Sequence, residues 1–249
     1  MSRSRSASSQ ASQSPQASQV NALRGRVDSV WTLAGGRVED RDRGVVLDLS
    51  VPAAGLVTLA GDQLLGFDVG VGRPPLDTWV RGDDVTAVWE PGDDRGLRAT
   101  GLWRLCGVDD GVVSWELVAS ATTCLLHADA TLAVTSEVAA AELLSAAWRS
   151  GRPSFFLPAT PADHGLVLLR RGDGKSILVM LHPNDDQTVT VAVEHGRARV
   201  GCWLFPTGIE KGVLLRSRVV AAIGPTAGDI AWGTRLAERF ATSPPVLST

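Results

Sequence analysis

Along most of the chain apolar and polar residues alternate in steps of two, interrupted by short clusters of Gly, Asp and Asn. That period predicts a succession of half-buried antiparallel strands. Residues 77–90, DTWVRGDDVTAVWE, are the clearest case. Thr78 and Val80 alternate with Asp77, Trp79 and Arg81, then Val85, Ala87 and Trp89 share a face. Gly82 and the two aspartates after it supply the turn. Similar ribbons are expected at 27–33 with 45–51, 56–60 with 64–69, 121–126 with 130–138, and 188–194 with 199–205.

The ribbon formed by 100–106 and 112–119 permits a register argument. Trp103 and Leu105 share a face, as do Val113, Trp115 and Leu117, so odd-numbered residues should oppose odd-numbered ones. A two-residue Asp110-Gly111 turn would pair odd with even, which favours a loop of three or five residues. Trp103 is then opposite or diagonal to Trp115, with Arg104, Ser114 and Glu116 on the other face.

Residues 166–171 and 175–181 are apolar on both faces and read as central strands around Gly172-Asp173-Gly174. Residues 212–223 read as one long strand. Residues 139–149 are ambiguous, because Val138, Ala141, Leu144 and Trp148 also make a short helical stripe. Residues 229–240 are the best helix, with Ile230, Gly233, Leu236, Ala237 and Phe240 as the face that should cap a sheet. Ser243-Pro244-Pro245 should end it. The expected fold is mainly β: a large antiparallel β-sandwich with one C-terminal helix. Residues 23–245 are expected to form a single domain with a Pro-marked seam near 150–162. Residues 1–22, rich in Ser and Gln, are expected to be a disordered tail.

A chain of 249 residues needs neither disulfide nor metal to hold a core, since about 70–75% of its unfolded surface is buried on folding. The net charge of −3 offers no basic field for nucleic acid. No run approaches the ~18 apolar residues of a membrane span, and no apolar segment follows Arg3 and Arg5 as in a secretory signal. No membrane partner and a cytoplasmic location are therefore expected. Cys106, Cys124 and Cys202 lack metal-site spacing and are expected to be free, small and buried. No cofactor is expected: the glycine-rich phosphate loops and the GxSxG pattern are missing from the sequence.

Arg-Gly-Asp occurs at residues 81–83 and 171–173, where hairpin turn chemistry accounts for it. His182-Pro183-Asn184-Asp185-Asp186 is a dense polar cluster, either a polar turn or a His182/Asp185 ligand or acid–base site. In the long strand, Arg216 and Arg218 point the same way. They line a groove for an anionic or hydroxyl-rich ligand, or, as the preferred account, pair with acids on neighbouring strands. Trp79, beside Arg81, is the one tryptophan expected to be exposed, and both join Arg216, Arg218, His182 and Asp185 as candidate ligand-binding residues.

The run FPTGIEKGVLLRSRVVAAIG at 205–224, the β-ribbons and the final helix together resemble galactose-mutarotase-like supersandwich proteins over residues 77–245. That resemblance implies carbohydrate handling, which in mutarotases uses a His and a Glu. No His or Glu here matches those motifs, so no catalytic residue is carried over. The leading expectation is a non-catalytic module that binds a carbohydrate or a protein. A degenerate or unusual sugar-active enzyme and a structural or assembly protein are the alternatives.

Overall fold

The computed structural model describes residues 31–70, 74–90, 92–140, 142–149, 152–156, 165–185 and 188–244. The chain opens with β1 (Thr32–Ala34), β2 (Arg37–Asp40), β3 (Val45–Asp48), a 3-10 turn (Pro52–Ala54), β4 (Leu56–Thr58) and β5 (Gln63–Asp68). A run of hairpins follows: β6 (Asp77–Arg81), β7 (Asp84–Trp89), β8 (Leu97–Asp109) and β9 (Val112–Thr123). Next are β10 (His127–Asp129), β11 (Leu132–Ala139), β12 (Glu142–Arg149), β13 (Arg152–Phe156), β14 (Leu166–Arg170) and β15 (Lys175–Leu181). The last strands are β16 (Thr188–Glu194), β17 (Arg197–Leu204), β18 (Gly208–Glu210) and β19 (Leu215–Pro225), before α1 (Asp229–Thr242).

Two large antiparallel sheets face one another, in the mainly β sandwich that the alternation called for. One has the order β1-β2-β3-β4-β5-β11-β17-β16, the other β13-β12-β14-β15-β19-β9-β8-β7-β6. Their inner faces share one apolar core. At its centre Phe67, Trp89 and Trp103 meet edge to face, with ring centroids 6.0–6.3 Å apart. The Trp103 indole N–H donates to the Leu65 carbonyl at 3.0 Å and so ties the two sheets together.

A second apolar cluster lies outside the nine-stranded sheet, beneath α1. Trp232, Ala237 and Phe240 pack there on Leu166, Leu168, Leu178, Met180 and Val220. This is why β14 and β15 are apolar on both faces: one meets the sandwich core and the other meets the helix. The buried face of the helix is rotated from the expected stripe. Ile230 is 44% exposed, whereas Trp232 is buried. The helix start is fixed by Asp229, which accepts from Ser176 Oγ (2.8 Å) and from Arg170 Nε (2.7 Å). Burial alone would raise the Asp229 pKa, but the Arg170 and Ser176 hydrogen bonds outweigh it and hold the carboxyl below its usual range.

One open local reading is resolved and two are corrected. Residues 142–149 are strand β12, because Leu144 and Ala146 reach the cluster under α1 while β13 and β14 pair on either side. The β8–β9 hairpin does turn through Asp110 and Gly111, both at positive φ, and pairs Asp109 with Val112. A bulge at Cys106 then restores the odd-to-odd register, so Trp103 opposes Leu117 and lies diagonal to Trp115. The face assignment was right and the loop exclusion was wrong, since a bulge changes parity as a longer loop would. The cysteines are free, but only Cys202 is buried; Cys106 and Cys124 are exposed.

The expected tail at 1–22 and much of the 150–162 seam lie outside the described residues. The part of the seam that is described, β13, is an edge strand of the nine-stranded sheet.

The thiols carry a direct prediction. Denatured, unreduced protein should titrate three with a disulfide-exchange reagent, and finding one would reveal a disulfide. In the native state Cys202 should resist, because burial pushes its pKa up to about 12. Cys106 stands at an exposed rim, yet the protein around it and then the Glu116 charge raise its thiol pKa. It should therefore react slowly at neutral pH despite its exposure.

Candidate functional site

Strand register gathers the polar residues of five strands on the outer face of the nine-stranded sheet. One row across the sheet runs Trp79, Thr86, Leu102, Val118, Arg218. The next runs Arg81, Asp84, Arg104, Glu116, Val220. A third ends with Thr100, Ser120 and Arg216. Alternation sends the even residues of β8, β9 and β19 outward because their odd neighbours fill the core.

Charges of alternating sign cross these strands. Arg104 grips Asp84 with two parallel bonds of 2.5 and 2.7 Å, the fork geometry that a guanidinium offers a carboxylate. Glu116 lies close enough to raise the Arg104 pKa further, after the larger effect of the Asp84 hydrogen bond. Glu116 itself pairs with Arg218 Nε, and both are buried, at 3% and 8% exposure. Arg218 is the junction of the site. Its Nη1 donates to the carbonyls of Ser243 (3.2 Å) and Pro244 (3.3 Å), and its Nη2 donates to Ser243 Oγ (2.9 Å). Its guanidinium carbon sits 4.8 Å from the centre of the Phe240 ring. One side chain thus binds the sheet face to the C-terminal end of α1.

His182 and Asp185 stand behind that junction. Asp185 accepts from Ser217 Oγ and, at 3.1 Å, from the Arg218 backbone N–H. The His182 backbone N–H donates to the Arg218 carbonyl at 3.1 Å, and its ring meets Phe240 edge to face at 5.0 Å. Burial, and then the Arg218 charge, lower the His182 pKa. Asp186, the last residue of that cluster, lies outside the described residues. Arg216 is half-buried, and its Nε donates to Ser120 Oγ at 3.3 Å.

Where α1 meets this face, a cleft of about 530 Å³ opens. Val112, Val220, Trp232, Leu236 and Phe240 give it an apolar side. Arg104, Ser114, Glu116 and Arg218 give it a polar floor. The bulge at Cys106 bends the β8–β9 hairpin at the rim, where Asp109 faces Arg239 at 3.6 Å and Asp110 faces Arg235 at 4.0 Å. Those exposed pairs hold the hairpin tip weakly against the helix.

Among the six residues singled out in the sequence, Arg218 alone lines the cleft, with His182 and Asp185 supporting it. Trp79 shares its row but stands four strands away, about 19 Å by strand spacing. It is 44% exposed. Arg81 is exposed beside it, at the turn. Both Arg-Gly-Asp segments are hairpin turns, and in the second Arg171 is ion-paired with the buried Asp62. The cleft residues Glu116, Arg104, Trp232 and Phe240 were not singled out as site residues. Their strands are legible in the sequence, but their convergence is not. A second exposed tryptophan, Trp203, was missed as well, although Val200, Cys202 and Leu204 pointing inward put it outside.

Among the described residues no group of three or more His, Cys, Asp or Glu is placed to hold a metal ion, and no helix is long and apolar enough to cross a membrane.

No protein-family model matches this chain, and no curated protein matches it either. Among solved structures it is similar to a heparinase III, with a TM-score of 0.32 and 10% identity in a form with methylated lysines. A second heparinase III structure gives a TM-score of 0.32 and 11% identity. Each likeness covers 61% of this chain and 21% of the other, so the chain spans about a fifth of the length of those proteins. At that level the likeness assigns no activity.

Proposed function

We propose that the protein is a non-catalytic carbohydrate-binding module on the galactose-mutarotase-like supersandwich plan, with the cleft between α1 and the nine-stranded sheet as its binding site. The observation that carries this reading is the make-up of the cleft. It sets aromatic and aliphatic side chains opposite Arg104 and Glu116, whose positions are fixed by their own ion pairs. A sugar ring offers an apolar C–H face to the first wall and hydroxyls to the second. Arg216, and then Trp79 and Arg81, extend the polar face for a longer chain, while His182 and Asp185 act only through Arg218.

A sugar-active enzyme is the competing reading, because His182 and Glu116 both flank Arg218. His182, however, is packed against Phe240, and Glu116 is committed to Arg218. Groups so engaged are placed to hold Arg218 and Phe240 in position, not to move a proton.

Glycan-array screening of the full chain should find at least one ligand. Arg104→Gln should then weaken its binding by about tenfold, the value of one charge-assisted hydrogen bond from the Nη1 that Asp84 does not take, with little change in melting temperature. An array with no bound glycan, or unchanged affinity in the variant, would sink the assignment. Turnover of the bound glycan would favour the enzyme.

A further inference from the structure

The outer face of the eight-stranded sheet carries Trp203 at 49% exposure. Its setting is unusual for an exposed aromatic. Gly201, two residues before it on the same face, has no side chain, and Ala133 lies directly across on β11. The next row is also low: Thr190, Gly201 and Thr135 run side by side across β16, β17 and β11. A Cβ at Gly201 would lie 3.8 Å from Trp203 Nε1 and 3.0 Å from Thr190 Oγ1. The indole edge therefore leans over the glycine instead of standing up from the sheet. Beyond the trough, Arg199 and Glu137 form the far bank, with Glu137 ion-paired to Arg197 at 2.5 Å. Trp203 and Arg199 are four residues apart on one strand, about 13 Å.

We propose that this trough is a second carbohydrate site, distinct from the cleft, in which a gluco-configured pyranose of a flat β-1,4-linked chain stacks on Trp203. The polarity of the surroundings selects the ligand class. A protein interface would bury an apolar patch, but Trp203 is a lone aromatic among Thr190, Arg199, Glu137 and Asp68. One aromatic plane with hydroxyl and charged neighbours suits a sugar, whose ring has an apolar face and a polar rim. A flat chain fits along β17 and over the edge strand β16, where Thr190, Gly201 and Thr135 stand low, while the 3-10 turn covers Gly66 one strand beyond and closes that side. The site stands on its own residues and does not depend on the reading of the cleft.

The test uses the full chain labelled with nitrogen-15 and titrated with cellohexaose, reading the indole N–H signals of its eight tryptophans. The Trp203 signal is identified by its loss in Trp203→Phe. It should shift with added cellohexaose, while the signals of the buried Trp89, Trp103 and Trp115 stay in place. Trp203→Ala should lower the affinity read from other shifting backbone signals of β16 and β17 by roughly tenfold. Arg104→Gln should leave the Trp203 shift intact, which separates this site from the cleft. A Trp203 signal that does not move at millimolar cellohexaose, or equal affinity in Trp203→Ala, overturns the proposal.

Discussion

Arg218→Gln is expected to destabilise the protein by about 3–5 kcal/mol, the cost of leaving a buried charge without its partner. Glu116 would remain in the floor of the cleft at 3% exposure with only Arg104, already engaged by Asp84, to offset its charge. The same change removes the donors that hold the Ser243 and Pro244 carbonyls and the cation over Phe240. For a chain of this size that corresponds to a fall in melting temperature of about 10 °C, and denaturant unfolding measures it directly. Arg216→Gln makes the contrast, because Arg216 is half-buried where Arg218 is 8% exposed; a smaller loss should be seen there. Glu116→Leu combined with Arg218→Met should recover much of the loss, since no charge is then stranded. A double variant as unstable as the sum of its singles would mean that the pairing is not the cause.

Trp103→Ala is expected to cost about 3–5 kcal/mol. The indole is wholly buried between Phe67 and Trp89, so its removal leaves a cavity that two aromatic neighbours cannot close. A backbone consequence adds to this. Leu65 sits at φ 54°, in the left-handed region that a leucine seldom adopts. Ser136 Oγ accepts from its N–H at 3.1 Å, and its carbonyl accepts from the Trp103 indole. Trp103→Phe keeps most of the volume but strands that carbonyl, so it should still cost about 1–3 kcal/mol. Thermal and denaturant unfolding of the two variants separate packing from hydrogen bonding. If Trp103→Phe proves neutral, the indole bond is not what holds Leu65.

The strand pattern was legible because each side chain reports locally whether its face is buried. Residues 166–181 show this best. Their two-sided apolarity predicted strands covered on both faces, and the structure supplies the sandwich core on one side and α1 on the other. Where two periods agree, the pattern fails. Leu144 and Trp148 share a face in a helix and in a strand alike, so residues 142–149 could be settled only by the pairing of β12 with β13 and β14. The β8–β9 turn failed for a related reason: face parity counts residues, and a single bulged residue at Cys106 alters the count, its one sequence signal being Gly107, inside the strand at positive φ.

By itself, the amino-acid sequence determined the fold class, the two-faced central strands, the terminal helix and the outward direction of Arg104, Glu116, Arg216 and Arg218. All of these follow from short-range periodicity. Only the tertiary structure decided that β19 lies beside β9 and that α1 ends over both, which brings Arg218 to a carboxylate 102 residues away. Strand order across a sheet is a matter of long-range topology, and alternation within each strand is the same whichever neighbour it has. The cleft therefore exists only once the sheet has been assembled.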